Sequence, residues 1–416
     1  MDRRLAPGSG SSARTGSRSG LWARLTERVA RGDIGSLPVL LGLVLIAVIF
    51  QIANPNFLTP LNLTNLVVQI AATGTISVGI VLVLLLGEID LSIGAVSGFC
   101  AAVMAVLSVK LGAPGAVAIV AGLATGAAIG LFQGAWITRL RVPSFVVTLA
   151  GFLGWQGALL WVLGSTGTVN LSDPLIIGLA NSRLPVWLGW LTGIAAALFF
   201  VISRYRTRLS RTRAGLVVPS FGAALAGSTV IVAALLIAVA IMSFNRNPRG
   251  DPPIEGMPAA VLVFIAIVII FDFILRRTRF GRYVFALGGS TEAARRAGVN
   301  VAWIRIAVFT LCSMLAAAGG ILAGSRLYAV NQSSGGGDVL LNAIAAAVIG
   351  GTSLFGGRGS TWSALLGALV IGAIANGMDL LAFSSSVRFM VTGAVLLLAV
   401  TLDAYARARR ELSGSA

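Results

Sequence analysis

Residues 83–96 read VLLLGEIDLSIGAV, with two carboxylates set between two long apolar runs. Hydrocarbon penalises a charged side chain, so carboxylates in such a setting belong to a protein interior, a water-filled path or the edge of a membrane. The flanking runs narrow the choice. Residues 61–86 form one apolar segment and residues 92–109 the next. Each is close to the roughly 17–25 residues a helix needs to cross a bilayer. Ten more such segments fall at 37–53, 115–137, 144–163, 185–202, 216–242, 259–275, 303–325, 339–356, 361–381 and 387–403. The expected fold is all-α: a polytopic transmembrane helical bundle of about 10–12 spans, with the shorter segments tilting or re-entering.

Composition agrees with that fold. Of 416 residues, 57% are hydrophobic and only 11% charged, with a mean hydropathy of +0.93. A soluble domain carries about a quarter charged residues. The 51 glycines suit membrane helices, where small residues let backbones approach. A net charge of +17 would fit nucleic acid, but the positive residues gather in particular tails and loops, as orientation signals do. With the N-terminus inside and the segments alternating, 25 of the 31 Lys and Arg residues fall on the inner side. This excess predicts that both termini are cytoplasmic. Residues 1–36, rich in Arg, Ser and Gly, read as a partly disordered cytoplasmic tail. A single transmembrane domain follows over 37–403, then a second cytoplasmic tail over 404–416. The first apolar run ends without a small-residue cleavage site and reads as an uncleaved span.

Several chemistries are excluded. The chain has no histidine, and so lacks the commonest general base and metal ligand. Lys110 is its only lysine, so it holds no GxxxxGK[ST] phosphate loop. Without the lysine, the glycine cluster VIGGTSLFGGRGS (348–360) reads as a tight turn between antiparallel helices. Cys100 and Cys312 lie singly in apolar runs and read as buried hydrophobes. The chain is expected to be neither an enzyme nor a metal protein; any ATP-driven work needs hydrolysis on another chain.

The orientation sets Glu88 and Asp90 at the cytoplasmic mouth between the second and third segments. There Asp90 is expected to cap the next helix through backbone N–H groups, or else to contact a partner or close a gate. Asn65, Gln69, Thr73 and Ser77 recur every four residues and share one side of a helix. Ser144, Thr148 and Gln156 repeat the idea on the fifth segment. Uncharged hydroxyls and amides suit a pathway for a sugar, whose groups both donate and accept hydrogen bonds; helix–helix bonding uses the same residues. Trp136, Trp187, Trp190, Trp303 and Trp362 lie near segment ends, where aromatic belts form. Within the long inner loop over 276–302, Thr291–Gly298 forms a short helix pattern. Glu292 faces Arg295 and Arg296, and Gly298 supplies the stop. Such a helix suits a groove on a partner or an anionic lipid surface.

Five stretches carry a resemblance: FLTPLNLTNLVVQ (57–69), GEIDLSIGA (87–95), VPSFVVTLAG (142–151), FGRYVFALGGSTEAARRAGVN (280–300) and GGTSLFGGRGS (350–360). In order and spread over nearly the whole chain, they resemble the permease subunits of bacterial ABC importers for monosaccharides, the ribose, xylose and galactose group. The resemblance implies a multi-pass inner-membrane permease forming a homodimer within membrane lipid. It implies an ATP-binding ABC subunit, an extracytoplasmic sugar-binding protein, and an ATPase-docking role for residues 280–300. It implies no cofactor in this chain, ATP being used by the partner. Length and the extra segments around 185–242 look most like the D-xylose permeases; ribose or galactose permeases of the same group are the alternative. A proton-coupled sugar transporter would need titratable groups at membrane depth, and Asp272 and Asp379 lie near segment ends.

Overall fold

The computed structural model describes residues 37–216, 221–247 and 249–412; the expected N-terminal tail over 1–36 and the last four residues lie outside them. Helices α1 (Leu37–Ala53), α2 (Pro60–Leu85), α3 (Ile93–Val109), α4 (Gly115–Arg139) and α5 (Ser144–Leu163) come first. A strand β1 (Thr168–Asn170) and a short helix α6 (Pro174–Asn181) precede the pair α7 (Val186–Arg213) and α8 (Phe221–Ser243). Then come α9 (Ala259–Arg277), α10 (Arg279–Gly289), α11 (Thr291–Arg296) and α12 (Val301–Leu327). Strand β2 (Ala329–Asn331), α13 (Gly337–Ile349), α14 (Thr361–Leu380) and α15 (Ser385–Leu412) complete the described chain. Among the described residues, seven helices are long and apolar enough to cross a membrane: α2, α4, α5 with its following turn, α7, α9, α12 and α14.

Pro60 opens α2 at a position whose N–H has no helical partner, and the Thr59 hydroxyl accepts the Asn62 N–H to cap it. From Gly74 to Leu85 every residue of α2 is buried. A helix apolar on all sides belongs in the middle of a bundle, and α2 sits there against α12 and α14. Helix α12 packs in turn on α4 through small residues. A Cβ added to Gly126 would lie 2.6 Å from the Ser313 carbonyl oxygen, and one on Gly130 2.3 Å from that of Phe309. This close approach is how membrane helices gain contact without a hydrophobic drive between them. The pair α7 and α8 is peripheral and packs chiefly on itself.

Two helices are short for a reason that positions the site. The sequence pattern extends one apolar segment over 339–356, but α13 stops at Ile349 after 13 residues. The rest is the glycine turn, which packs at the end of α2: the Gly357 N–H donates to Leu85 O at 3.0 Å. Thirteen residues at 1.5 Å each put the start of α13 about 20 Å inside the bundle, measured from that end. The chain reaches this point from β2, whose antiparallel pairing with β1 (Val169 opposite Val330) anchors it at the other end. Residues 332–336 then run inward without helix. Helix α3 mirrors this: its start is also internal, and residues 87–92 lead into it as a non-helical turn and bend, with Gly87 at φ +74°. These two inward-running segments meet. A Cβ on Gly98 would lie 2.0 Å from Ser334 O, and one on Gly335, at φ +73°, 2.1 Å from Gly94 O. Gly335 therefore combines a left-handed backbone with a contact that admits no side chain.

Candidate functional site

Asn65 and Gln69 of the α2 stripe line one polar cavity of about 430 Å³, together with Asn62, Asn376, Asp379 and Arg326. It lies at the end where α2 begins, opposite the glycine turn. Asn62 and Asn376 exchange amide hydrogen bonds at 2.7 and 3.0 Å, joining α2 to α14. Arg246, from the loop between α8 and α9, closes one wall; its guanidinium donates to the backbone carbonyls of Met242 and Gly256. Burial, with nearby Arg183 adding to it, draws the Arg246 guanidinium below its ordinary range. Arg388 pairs with Asp379. The stripe does not stay in the cavity. Thr73 is half-buried, and Ser77 is fully buried with no hydrogen-bond partner for its hydroxyl.

The GEIDLS segment sits deeper than a mouth. Glu88 pairs with Arg305 of α12 at 2.9 Å. Asp90 is 1% exposed. Its Oδ1 accepts the Ser92 backbone N–H at 2.8 Å and the Ser92 hydroxyl at 2.7 Å. The expected cap thus differs in detail: Asp90 binds Ser92, the residue just before α3, because the chain bends at Leu91 and the helix begins only at Ile93. The Cys312 thiol of α12 donates to Asp90 Oδ2 at 3.7 Å, and Ser92 and Gln133 of α4 are bonded to each other. Cys100 and Cys312 are both free and buried.

On α5, Ser144 and Thr148 face the bundle. Thr148 is fully buried, and its hydroxyl donates to Ser144 O at 2.9 Å. Gln156 is placed differently: its amide donates to Gln332 O, on the segment that runs inward to α13, at 3.2 Å. Beside it Trp155 stacks on Phe99 of α3 at 5.8 Å. Asp338, in the first turn of α13, is exposed and has no hydrogen-bond or ion-pair partner among the described residues. A carboxylate exposed about 20 Å inside the bundle cannot face hydrocarbon, so its neighbourhood is polar or wet. Asp338 does not stand out in a sequence reading; its one signal there is an acid placed between GGG and an apolar run.

Most of the inner loop is helical. Phe280, Val284 and Leu287 recur along one face of α10, a helix not anticipated from sequence, and Val284 and Leu287 are buried. Helix α11 follows as expected, with Glu292 pairing to Arg295 at 3.3 Å and Arg296 at 3.1 Å. Gly298, at φ +80°, ends it; the Val299 N–H returns to Ala294 O and the Gly298 N–H to Arg295 O. Charged groups of α11 point away from the bundle, while Gly288 at the end of α10 packs on Leu85 and Gly357. A Cβ there would lie 1.8 Å from Leu85 O.

A helix buried on all sides, two helices that begin inside the bundle and polar groups reaching that depth mark a polytopic membrane protein of the all-α class. The family described as "Branched-chain amino acid transport system / permease component" matches residues 62–400, and the chain belongs to it. It is therefore a permease component, a transport subunit and not an enzyme. It is 36% identical over 353 residues to the xylose transport system permease protein XylH of Escherichia coli (strain K12), covering 85% of this chain and 87% of that protein. Identity is 34% over 372 residues to XylH of Haemophilus influenzae, 88% of this chain and 96% of that one. The ribose import permease protein RbsC of Escherichia coli (strain K12) is 32% identical over 363 residues, 87% and 91% of the two chains. No solved structure matches the chain.

Proposed function

We propose that this chain is the membrane-spanning subunit of an ATP-driven importer of a monosaccharide, D-xylose first among candidates. The observation that carries the reading is the 36% identity to a xylose permease over 85% of the chain. The α7–α8 pair supports the choice of sugar, since it accounts for the added length that resembles xylose permeases. Uncharged amides such as Asn65 and Gln69 suit a neutral polyol, being able to donate and accept at once.

In this reading the protein lies in the bacterial inner membrane with both termini cytoplasmic. The arginine-rich end, bearing α10, α11 and the glycine turn, faces the cytoplasm. Two copies form the permease. An ATP-binding partner docks on α11 through Glu292, Arg295, Arg296 and Gly298, and an extracytoplasmic binding protein delivers sugar to the opposite face. ATP is used by the docked partner, and this chain takes no cofactor. The polar cavity at Asn65 and Gln69 is the outer part of the path, while Asp338 and Gln156 contact solvent at depth.

Reconstitution of the permease with its ATPase and binding protein tests the reading. Uptake of labelled xylose should require ATP, survive an uncoupler, and exceed that of ribose, galactose and leucine. Glu292→Arg/Gly298→Val should release the ATPase while leaving membrane insertion intact. Xylose uptake that collapses under the uncoupler with ATP maintained would overturn it.

A further inference from the structure

Of the ion pairs between described residues, three lie within single helices (Arg276–Asp272, Arg295–Glu292 and Arg296–Glu292), and Arg388–Asp379 spans nine residues at the far end. Arg305–Glu88 is unlike them. It joins α12 to the GEIDLS segment at 2.9 Å, with the side chains only 29% and 16% exposed. Pairs in this setting add little to stability, because desolvation offsets attraction, yet removing one partner strands the other charge. Such a pair fixes geometry more than it adds strength.

Its two ends are informative. Arg305 is the fifth residue of α12, which follows α11 after a tight turn: Asn300 Oδ1 accepts the Trp303 N–H at 3.0 Å to cap α12. The turn, held by the Val299 and Gly298 N–H groups, leaves little slack between α11 and Arg305. At the other end, Glu88 stands two residues before Asp90, whose neighbours Ser92, Gln133 and Cys312 tie the segment to α4 and α12. Beyond Ser92 begins α3, which carries Gly94 and Gly98 against Gly335 and Ser334. A short chain of fixed contacts therefore runs from α11 to the junction of α3 with the segment before α13.

A second contact between the same regions, Gly288 on Leu85, is purely steric. Steric contact transmits a push and nothing on withdrawal. An ion pair held in place transmits both, as a two-state cycle driven from one side requires.

We propose that Glu88 and Arg305 are positioning residues through which movement of the ATPase-docking helices α10 and α11 reaches the GEIDLS segment and the start of α3. The proposal rests on the docking role given to α11 above, and its test separates the two.

The experiment uses the whole transporter in proteoliposomes, with capture of the ATPase by tagged permease, ATP hydrolysis and xylose uptake measured on one preparation. Glu88→Gln and Arg305→Gln should each keep ATPase capture and basal hydrolysis, while uptake per ATP hydrolysed falls roughly tenfold, within the usual range of site-to-site coupling. The exchange Glu88→Arg/Arg305→Glu should recover most of that ratio. A purely structural pair would lower folded yield and leave the ratio of the folded fraction unchanged. Neutral variants with the wild-type ratio overturn the proposal, as does a monodisperse exchange variant that stays at the uncoupled level. The exchange variant also decides the matter where a neutral variant does not fold. Failure of the docking reading shows elsewhere, as full ATPase capture by Glu292→Arg/Gly298→Val.

Discussion

Replacing Gly98 by alanine tests the central packing claim, that α3 and the segment before α13 touch backbone to backbone. The new Cβ would lie 2.0 Å from Ser334 O, short of the ordinary 3.4 Å contact by about 1.4 Å. Ser334 cannot easily retreat, because its N–H donates to Asn331 O at 3.0 Å and its hydroxyl accepts the Asn331 N–H at 3.0 Å. Alanine gains about 1 kcal/mol in helix propensity over glycine. Overpacking a rigid contact costs about 1–3 kcal/mol. With backbone on both sides of the clash the upper figure applies, leaving a net loss of about 2 kcal/mol. Gly42→Ala in α1 is the control, since nothing lies within 4 Å of its Cβ position. It should be neutral or stabilising by up to about 1 kcal/mol. Equilibrium unfolding in mixed detergent micelles, followed by tryptophan fluorescence, measures both. Gly98→Ala as stable as the wild type beside a well-behaved Gly42→Ala would refute the contact, and with it the meeting of α3 with the segment before α13.

Three further outcomes are expected. In a double-mutant cycle on Asn62→Leu and Asn376→Leu, the same unfolding assay should return a coupling of about 1 kcal/mol, in the range found for polar pairs between membrane helices; additive losses would mean that the amide pair contributes nothing specific. Single cysteines at Asn65 and Gln69 should react with a membrane-impermeant thiol reagent over a low background, because Cys100 and Cys312 are buried. A cysteine at Ser77 should not react, and uniform rates would place the cavity wrongly. Reporter fusions after Ala416 and within residues 165–182 should report opposite sides of the membrane; agreement between them breaks the orientation drawn from the arginines.

The helices are legible because hydrocarbon imposes one rule on them: a spanning segment must be long and apolar. That rule locates α2, α4, α9, α12 and α14 closely from sequence alone. It fails for helices not built on a span. Helix α10 is 11 residues long with Arg279 and Arg282 in its first turn, and disappears in a hydropathy reading, though Val284 and Leu287 sit at helical spacing. Helix α6, eight residues long, is too short to register. The end of α13 escapes the same reading because Leu354 and Phe355 keep the glycine turn after Ile349 apolar on average, and hydropathy cannot distinguish such a turn from one more helical turn.

The site is legible where function shows in residue type and obscure where it depends on depth. The α11 pattern of Glu292, Arg295, Arg296 and Gly298 is local in sequence, and the structure forms it locally. The polar stripe on α2 keeps its face, but a helix face says nothing about how far the bundle encloses it, so Asn65 is exposed while Ser77 is sealed. Asp90 shows the same limit most sharply. An acid between two spans reads as a surface residue if every span is taken to begin at the membrane edge. Here α3 begins inside, and the non-helical residues 87–92 carry the acid inward with them. A helix that starts late leaves its preceding backbone without intrahelical bonds, and such chain survives at membrane depth only where protein or a wet cavity surrounds it. The Ser92 backbone N–H on Asp90 Oδ1 meets part of that demand on one side of the junction, and the Gln156 amide on Gln332 O does so on the other. Asp90, Ser92 and Gln133 are all buried at that junction, so residue type alone, read from sequence, does not reveal the depth at which they work.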